Sequence, residues 1–282
     1  MFEIETFVFF DIETTGIPGY ERPPTKITEL AFVACSREHL LTTEKNELPR
    51  ILHKILLPIQ PLKCILPDTT KITGLDNFLL EHVAKFDEET VAIMNSFLNR
   101  LKKPICLVAH NGNKFDYPLL SEHLKRIKCF LPEHLFCVDS LCIFKEYNDI
   151  MTSNSMDDEF LKTDLTDVQK INETTPSRGI SKYQKSSKSL TESSKASRCL
   201  FPNSIQTSNT AIDSPTIINN NSSKNQRLSY KLTDIFERLH HHSPETAHNA
   251  EADTMHLLKC AIAINERFVQ LADSGARKFS EF

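Results

Sequence analysis

Short hydrophobic runs separated by polar turns predict strands along much of the chain. Runs rich in β-branched and aromatic residues are typical of strands, and five of them occur, at residues 6–11, 27–36, 51–57, 105–110 and 135–139. The first three follow one another without an obvious long helical pattern between them. They therefore suit an antiparallel meander.

Apolar residues at helical spacing predict helices between and after the strands. Val91, Met94 and Leu98 recur on one helical face and predict a helix over residues 88–102. Similar patterns predict helices at 119–127, 140–147, 232–240 and 251–271. Helices interspersed with the later strands indicate an α/β fold, with a central mixed five-stranded sheet flanked by helices.

The composition changes between residues 148 and 226, where serine, threonine and asparagine dominate and aromatic residues are rare. Such a segment buries too little apolar surface to offset the entropy of ordering it, which predicts a long disordered, low-complexity insertion. Residues 1–147 and 227–282 would then be two parts of one domain. The Ser/Lys-rich part, 181–198, leaves a regulatory or localisation arm open beside a plain solvated insertion.

Overall composition excludes several classes of protein. The 282 residues are 40% hydrophobic and carry a net charge of −4, which disfavours a protein that merely coats nucleic acid or an anionic membrane. No apolar run reaches the roughly 18 residues of a membrane span, and Glu3, Glu5 and Asp11 interrupt any signal-like N-terminus. We therefore expect an intracellular, soluble protein with no membrane partner, whose eight cysteines are reduced. The run at 240–242 predicts a solvated, histidine-rich helix end.

Two acids follow the first apolar strand in the stretch FVFFDIETTG. Asp11 and Glu13 are two positions apart, so on a strand they project from the same side. Like charges held this close repel each other unless a cation neutralises them, and hard divalent ions such as Mg²⁺ prefer carboxylate oxygens. Taken alone, the pair is more typical of a solvated turn than of a metal site.

Three later segments place further polar groups at the ends of elements. Asp116 follows a strand and HNG turn, where it could also be a helix N-cap. Asp139 ends another apolar run, and capping of the next helix explains it. Asp253 lies on a helical segment five residues after His248, so both reach one site if the histidine precedes the helix.

These scattered groups acquire a common meaning when they are combined. Carboxylates from several elements can hold two Mg²⁺ ions for phosphodiester hydrolysis, and a histidine near its usual pKa can take a proton from water. The candidates are Asp11, Glu13, Asp116 and Asp253 for the metal ions and His248 for the proton.

Five sequence blocks in the same order resemble the TREX (three prime repair exonuclease) family of DEDDh 3′–5′ exonucleases. They are FFDIETTGIP, KITGLD, CLVAHNGNKFDYPLL, FCVDS and HNAEADTMHLLK. The resemblance covers roughly residues 5–147 and 227–272 and implies a ribonuclease H-like fold. The polyproline segment and the anchored tail of the longer members are not found, so the chain looks more similar to the short, soluble branch.

The resemblance also implies roles for individual residues. It assigns the metal ions to Asp11, Glu13, Asp116 and Asp253, and the general base to His248. It implies contact with the terminal nucleotide for Glu13, Thr14, Ile17, Pro18, Ile72, Phe115 and Asp253. Phe115 stands where the family usually has tyrosine, so stacking but no hydroxyl contact is expected. The expected cofactor is two Mg²⁺ ions per site, with Mn²⁺ as a substitute.

The activity implied is that of a Mg²⁺-dependent DNA exonuclease releasing nucleoside 5′-monophosphates from single-stranded or frayed 3′ ends, in DNA repair or removal of stray DNA. The family implies a homodimer formed through an edge strand, expected near residues 105–108. Location in the nucleus, cytoplasm or both stays open. An RNA-directed DEDDh exoribonuclease and a catalytically silent nucleic-acid adaptor are the alternatives.

Overall fold

In the part of the chain that the structure describes, a mixed sheet of six strands, in the order β3-β2-β1-β4-β5-β6, forms the centre of the fold. The strands are β1 Thr6–Thr14, β2 Ile27–Ser36, β3 Ile51–Pro58, β4 Ile105–Ala109, β5 Leu135–Asp139 and β6 Arg277–Lys278. The first three pair antiparallel, as the predicted meander requires, and β4 and β5 add in parallel beside β1. The sheet has one strand more than predicted, because β6 pairs with β5 through only two residues and leaves no sequence pattern.

The computed structural model describes residues 3–20, 24–153, 228–245 and 248–282. These belong to one compact unit, Met1–Phe160 with Leu228–Phe282. Most of the predicted insertion lies outside the described residues. Residues 148–153, however, continue the preceding helix, where the Thr152 and Ser153 hydroxyls donate to the carbonyls of Asn148 and Asp149. The helix therefore continues through the first six residues of the predicted insertion.

Helices cover the sheet on both sides. They are α1 Arg37–Thr42, α2 Pro67–Thr73, α3 Glu88–Asn99, α4 Asp116–Ile127, α5 at residues 140–153, α6 Leu232–His240, α7 Ala250–Ala263 and α8 Asn265–Gly275. A single helix was predicted over 251–271, but the chain breaks at Ile264, where φ is −129°. Helices α1 and α2 were not predicted, since six or seven residues show too little periodicity.

Strand β1 is buried on both faces, which explains its run of four apolar residues. Phe7 and Phe9 pack into the cluster that includes α6, α7 and α8, whereas Val8 and Phe10 pack into the cluster on the side of α3 and α4. Since side chains alternate along a strand, Asp11 projects on the side of Phe7 and Phe9. The first acids of the chain therefore face helix α7.

The predicted dimer edge is misplaced. Strand β4 lies between β1 and β5 and all five of its residues are buried, so residues 105–108 are central. A fully apolar strand of this kind needs cover on both faces and both edges. Among the described strands, the edges of the sheet are β3 and β6.

The histidine run at the end of α6 is only partly solvated. His240 is buried, its ring lies 4.5 Å from that of Phe236, and its Nδ1 is 2.8 Å from Oδ1 of Asn46. His241 is exposed and ends the helix in the left-handed conformation. His240 lies on the buried face of the amphipathic helix α6, together with Ile235 and Phe236.

The seven cysteines in the described ranges all carry free thiols. None of the helices in these ranges combines the length and the apolar character that crossing a bilayer requires.

Candidate active site

The centre of the site is the end of strand β1. Asp11 and Glu13 lie opposite Ala31 and Glu29 of β2, and the pairing register shifts just after Glu13. Both acids are partly exposed, whereas the intervening Ile12 is buried. Strand β1 therefore holds two carboxylates near its C-terminal end. Exposed and buried side chains alternate there, as expected of a strand.

Helix α7 brings the third acid. Its N-cap, Asn249, accepts hydrogen bonds from the backbone N–H groups of Glu251 and Ala252, each at 3.1 Å. Asp253, in the first turn, accepts a hydrogen bond from the backbone N–H of His248 at 3.0 Å. The capped helix start thus points its carboxylate toward the end of β1.

Three of the four predicted metal ligands converge. One carboxylate oxygen each from Asp11, Glu13 and Asp253 lies within 4.8 Å of the other two. Two oxygens bound to one Mg²⁺ at about 2.0–2.1 Å lie at most about 4.2 Å apart. Small side-chain rotations would therefore bring all three acids onto a common cation. The three acids come from two elements that are far apart in the chain.

Asp116 approaches from the other side and is not part of that three-residue group. It is the first residue of α4 and only 2% exposed, and its Oδ1 has no hydrogen-bond partner among the described residues. The alternative of a plain N-cap is wrong, since α4 begins with Phe115 at the N-cap position and without a side-chain cap. A buried carboxylate oxygen without a donor is costly unless a cation or water meets it.

Tyr117 fixes the helix start that carries Asp116. Its buried hydroxyl accepts from the Ala109 N–H at 2.9 Å and lies 2.7 Å from the Val138 carbonyl, to which it can donate. The preceding turn needs Gly112, because a Cβ there would lie 2.7 Å from both the Ala109 Cβ and the Tyr117 ring. The sequence analysis singled out the neighbouring Asp116 and did not predict this role for Tyr117.

Asp139 supports the same turn and caps the next helix, as predicted. Its Oδ1 accepts from the N–H groups of Leu141 and Asn111, at 3.0 and 2.9 Å. Its Oδ2 accepts from the N–H of Asn113 at 3.2 Å. These bonds hold the loop before Asp116 against the end of β5.

Burial and mutual repulsion raise the pKa values of these acids. Burial, followed by the charges of Asp116, Glu13 and Asp253, raises the pKa of Asp11 well above its usual value. Burial, then Asp253, raises the pKa of Glu13 to about 8. Burial is also the main cause that raises the pKa of Asp116 to about 8, with hydrogen bonds from backbone N–H groups opposing it.

The residues present fit a divalent cation. Carboxylates crowded in this way favour neutral forms only while nothing positive lies among them. The donor set is all oxygen, which suits Mg²⁺ or Mn²⁺ rather than a soft metal. The unpartnered Oδ1 of Asp116 is a further oxygen whose lone pairs are available.

His248 precedes helix α7, as the sequence analysis required. Its side chain is exposed and its backbone adopts φ 64°, in the left-handed region that non-glycine residues rarely enter. The bond from its N–H to Asp253 ties this conformation to the acid cluster. The imidazole therefore stands on a short exposed segment beside the carboxylates.

The residues predicted to contact a terminal nucleotide differ in their exposure to solvent. Ile17 is 64% exposed and Ile72, on α2, is 57% exposed, whereas Phe115 packs partly into the core. Pro18 is half-buried, and Thr14 is buried with its hydroxyl donating to the Gly16 carbonyl at 2.7 Å. The large apolar side chains of Ile17 and Ile72 are thus open to solvent.

Glu29 is a functional candidate that the sequence analysis missed. It is buried, lies opposite Glu13, and its Oε2 accepts the N–H of Ala250 at the start of α7 at 3.1 Å. It therefore joins β2 to the helix that carries Asp253. The available signal was a carboxylate inside the otherwise apolar strand ITELAFVAC.

The fold and the site together define a class. A mixed sheet whose central strand ends in two carboxylates, joined by one carboxylate from a helix on each side, is the ribonuclease H-like arrangement of the DEDDh exonucleases. The profile of the family described as Exonuclease matches residues 8–170. The chain belongs to this exonuclease family.

Relatives and solved structures agree with this assignment. The chain is 40% identical over 144 residues to three prime repair exonuclease 2 of Homo sapiens, covering 49% of this chain and 60% of that protein. It is 36% identical over 153 residues to three-prime repair exonuclease 1 of Bos taurus, covering 50% and 48%. The chain thus spans about half to three fifths of the length of these relatives.

In fold, the chain is similar to the nuclease domain of 3′hExo, a DEDDh family member solved with rAMP bound. The TM-score is 0.56 at 10% identity, covering 95% of this chain and 94% of that one. This likeness confirms the predicted ribonuclease H-like fold.

Proposed function

We propose that the chain is a divalent-cation-dependent 3′→5′ DNA exonuclease that releases nucleoside 5′-monophosphates. The observation that carries the proposal is the convergence of Asp11, Glu13 and Asp253 within 4.8 Å. The buried, unpartnered carboxylate oxygen of Asp116 supports it. The similarity to three prime repair exonucleases supports DNA as the substrate and the 3′ end as the start.

The chain's own residues have separate tasks in this proposal. Asp11, Glu13, Asp116 and Asp253 would hold two Mg²⁺ ions, which when bound supply Lewis acidity at the scissile phosphate. The exposed imidazole of His248 would take the proton of the attacking water at its free ring nitrogen.

The substrate end would be positioned by contacts beside the acids. Ile17, Pro18 and Ile72 would line one wall for the terminal base, with Phe115 near the acids of the site. Thr14 and Glu13 would approach the terminal sugar. Contacts with aromatic and apolar faces tolerate any base, which suits processive removal of nucleotides.

Asp253→Asn tests the mechanism. Asparagine keeps a side-chain oxygen that can accept the His248 N–H, but it removes the charge that a cation needs. We expect hydrolysis of end-labelled single-stranded DNA with Mg²⁺ to fall by at least about a hundredfold, as for loss of other electrostatic groups. Wild-type activity in this variant would refute the proposal.

Glu251→Gln is the matched control. Glu251 lies two residues away on the same helix, and its carboxylate pairs with Lys54 on the surface. This change alters the net charge equally and should leave the rate unchanged. Omission of Mg²⁺ from the same assay tests the cation requirement directly.

An RNA-directed exoribonuclease is the second candidate, because 3′hExo, which shares the fold, was solved with rAMP bound. The cation chemistry would be the same, and a contact with the 2′-hydroxyl would distinguish the two. Digestion of matched DNA and RNA strands decides between them. A catalytically silent adaptor would show binding without hydrolysis, and the complete set of acids speaks against it.

We further propose a homodimer formed through β3 rather than through β4. Strand β3 is an edge of the sheet, and Leu52 and Leu56 on it are each 36% exposed. An edge strand with exposed apolar side chains is a template for pairing with a second strand. Leu56→Asp should convert the dimer to a monomer in sedimentation equilibrium, and an unchanged dimer would exclude β3.

An intracellular location, nuclear or cytoplasmic, is also part of the proposal. The buried free thiols of Cys35, Cys106 and Cys260 support a reducing compartment. Imaging of a fluorescently tagged chain tests it, and secretion into the medium would contradict it.

A further inference from the structure

Two adjoining cavities share Gln60, Pro61 and Leu62, and the second of them also borders helix α4. The first, of about 440 Å³, is lined by Leu62 and Phe78, which are 71% and 84% exposed. The loops that carry them are held together, since the Asn77 side chain accepts from the Ile65 N–H at 2.8 Å and donates to its carbonyl at 3.0 Å. Ile65 and Leu80 are buried beneath. Two large apolar side chains are thus presented to solvent on a rigid base.

The second cavity adjoins the first through Leu62 and is basic. Lys26, Lys85 and Arg126 line it, and no acidic side chain does so in the described part of the chain. Arg126 is paired with Glu122, whereas Lys26 and Lys85 form no salt bridge within the described ranges. Burial, followed by the nearby charge of Arg126, lowers the pKa of Lys26. Three cations with one neighbouring acid, Glu122, leave a net positive charge at this cavity, which favours an anionic ligand.

A buried histidine adds a hydrogen-bond acceptor to the basic cavity. His123 is 5% exposed and its Nδ1 lies 2.9 Å from the Leu119 carbonyl, so Nδ1 carries the hydrogen. Burial lowers the pKa of His123, which keeps the ring neutral. Its Nε2 is then an acceptor, and no described residue donates to it. At about 80 Å³ this cavity suits a phosphate group rather than a whole nucleotide, and His123 forms part of its wall.

Hydrogen bonds connect the two cavities to the proposed wall for the terminal base. Thr15 exchanges two bonds with Lys26: its N–H donates to the Lys26 carbonyl at 2.9 Å, and its hydroxyl accepts the Lys26 N–H at 3.1 Å. The Thr69 hydroxyl, on the helix that carries Ile72, donates to the Thr15 carbonyl at 3.1 Å. The basic cavity is therefore joined to the segment that follows Glu13.

We propose that these two cavities form an accessory groove that binds the single-stranded nucleic acid upstream of the terminal nucleotide. Its cationic end, Lys26, Lys85 and Arg126, would take phosphates, and Phe78 would stack against a base. A positive track with an aromatic platform is the usual combination for sequence-tolerant binding of single strands. One acid and one base, Glu81 and Lys63, line the apolar end, so the excess positive charge lies at the other end, where we place the phosphates. The proposal rests on the proposed nuclease function.

Strand length provides the test. We compare the affinities of a short DNA strand of about four nucleotides and a long one of about sixteen, by fluorescence anisotropy in EDTA. In the Lys85→Gln/Arg126→Gln double variant, the preference for the long strand should fall about tenfold, and the slope of log affinity against log salt by about 1.4. Phe78→Ala should reduce the same preference at least about fivefold, since stacking is lost.

Matched controls lie elsewhere on the surface. Lys45→Gln/Arg267→Gln removes two exposed cations, Arg267 being on α8 at the opposite face of the sheet, and Phe130→Ala removes an aromatic ring that is 76% exposed. These should leave the preference for the long strand unchanged. An unaltered preference and salt slope in the groove variants, or equal loss in the controls, would overturn the groove.

Failure of the groove and failure of the proposed function give different results. Wild-type protein that digests DNA with Mg²⁺ while groove variants keep the length preference refutes the groove alone. If the wild-type protein does not digest nucleic acid, but the groove variants lose the preference for the long strand, the nuclease function is refuted and the groove is supported.

Discussion

Removal of divalent cations should make the stability of this protein fall as the pH rises. The acids at the end of β1 have raised pKa values because they are partly buried and close together, so the folded chain binds their protons more tightly than the unfolded chain. A carboxyl group whose pKa is raised by folding contributes its full stabilisation at pH values below its pKa in the unfolded chain. That stabilisation is lost as the pH rises through its pKa in the folded chain. For Glu13 that window extends from 4.5 to about 8.

The magnitude can be worked out for the upper part of the window. Burial lowers the pKa values of His110, His123 and His240, and these groups act in the opposite direction, but only below about pH 6.5. Between pH 6.5 and 8, Glu13 alone should cost about 1.5 kcal/mol of the free energy of unfolding. For a domain of this size that is roughly 3–6 °C in Tm. Asp11 and Asp116 act in the same direction.

The assay is thermal unfolding in EDTA and in saturating Mg²⁺ at pH 6.5 and 8. Tm should fall with pH in EDTA, and Mg²⁺ should raise it more at pH 8, where the acids are ready to bind. Glu13→Gln, which keeps the shape and removes the titration, should flatten the curve, whereas the surface change Glu251→Gln should not. A metal-free Tm that is constant or rises, or a Glu13→Gln slope equal to that of wild type, would refute the reasoning.

Two further predictions concern residues that position the acids. Glu29→Ala removes the acceptor for the Ala250 N–H and should lower the rate of DNA hydrolysis about tenfold through displacement of α7, whereas Glu29→Gln, which keeps an oxygen, should restore most of it; equal rates for the two would exclude a positioning role. Tyr117→Phe leaves the Ala109 N–H and the Val138 carbonyl without their partner and should reduce the free energy of unfolding by about 1–3 kcal/mol in denaturant titrations; wild-type stability would show that water replaces the hydroxyl.

Predictions from the sequence succeeded where a local pattern is strong. The strands at 27–36 and 135–139 and the helix at 232–240 have the observed bounds, because turn residues and periodicity mark their ends. Weak patterns misled: α7 and α8 were joined because Ile264 is apolar like its neighbours. Strand β4 was assigned to an edge, although five consecutive buried residues are typical of a central strand.

In the site, too, residues with a strong local pattern were predicted, and residues whose role depends on distant partners were not. Asp11 and Glu13 were recognised from their spacing, which the strand geometry turns directly into a shared orientation. Glu29 and Tyr117 were missed because their roles depend on partners distant in sequence, Ala250 for the former and Val138 for the latter.

The sequence by itself determined which chemical groups are available and in what order. It supplied the acids, the histidine and the family resemblance, since side-chain chemistry and local periodicity are properties of short stretches. Only the tertiary structure decided that Asp11, Glu13 and Asp253 meet within 4.8 Å while Asp116 stays buried beside them. Convergence depends on how α4 and α7 pack on opposite faces of one sheet, and packing depends on contacts between residues that are remote along the chain.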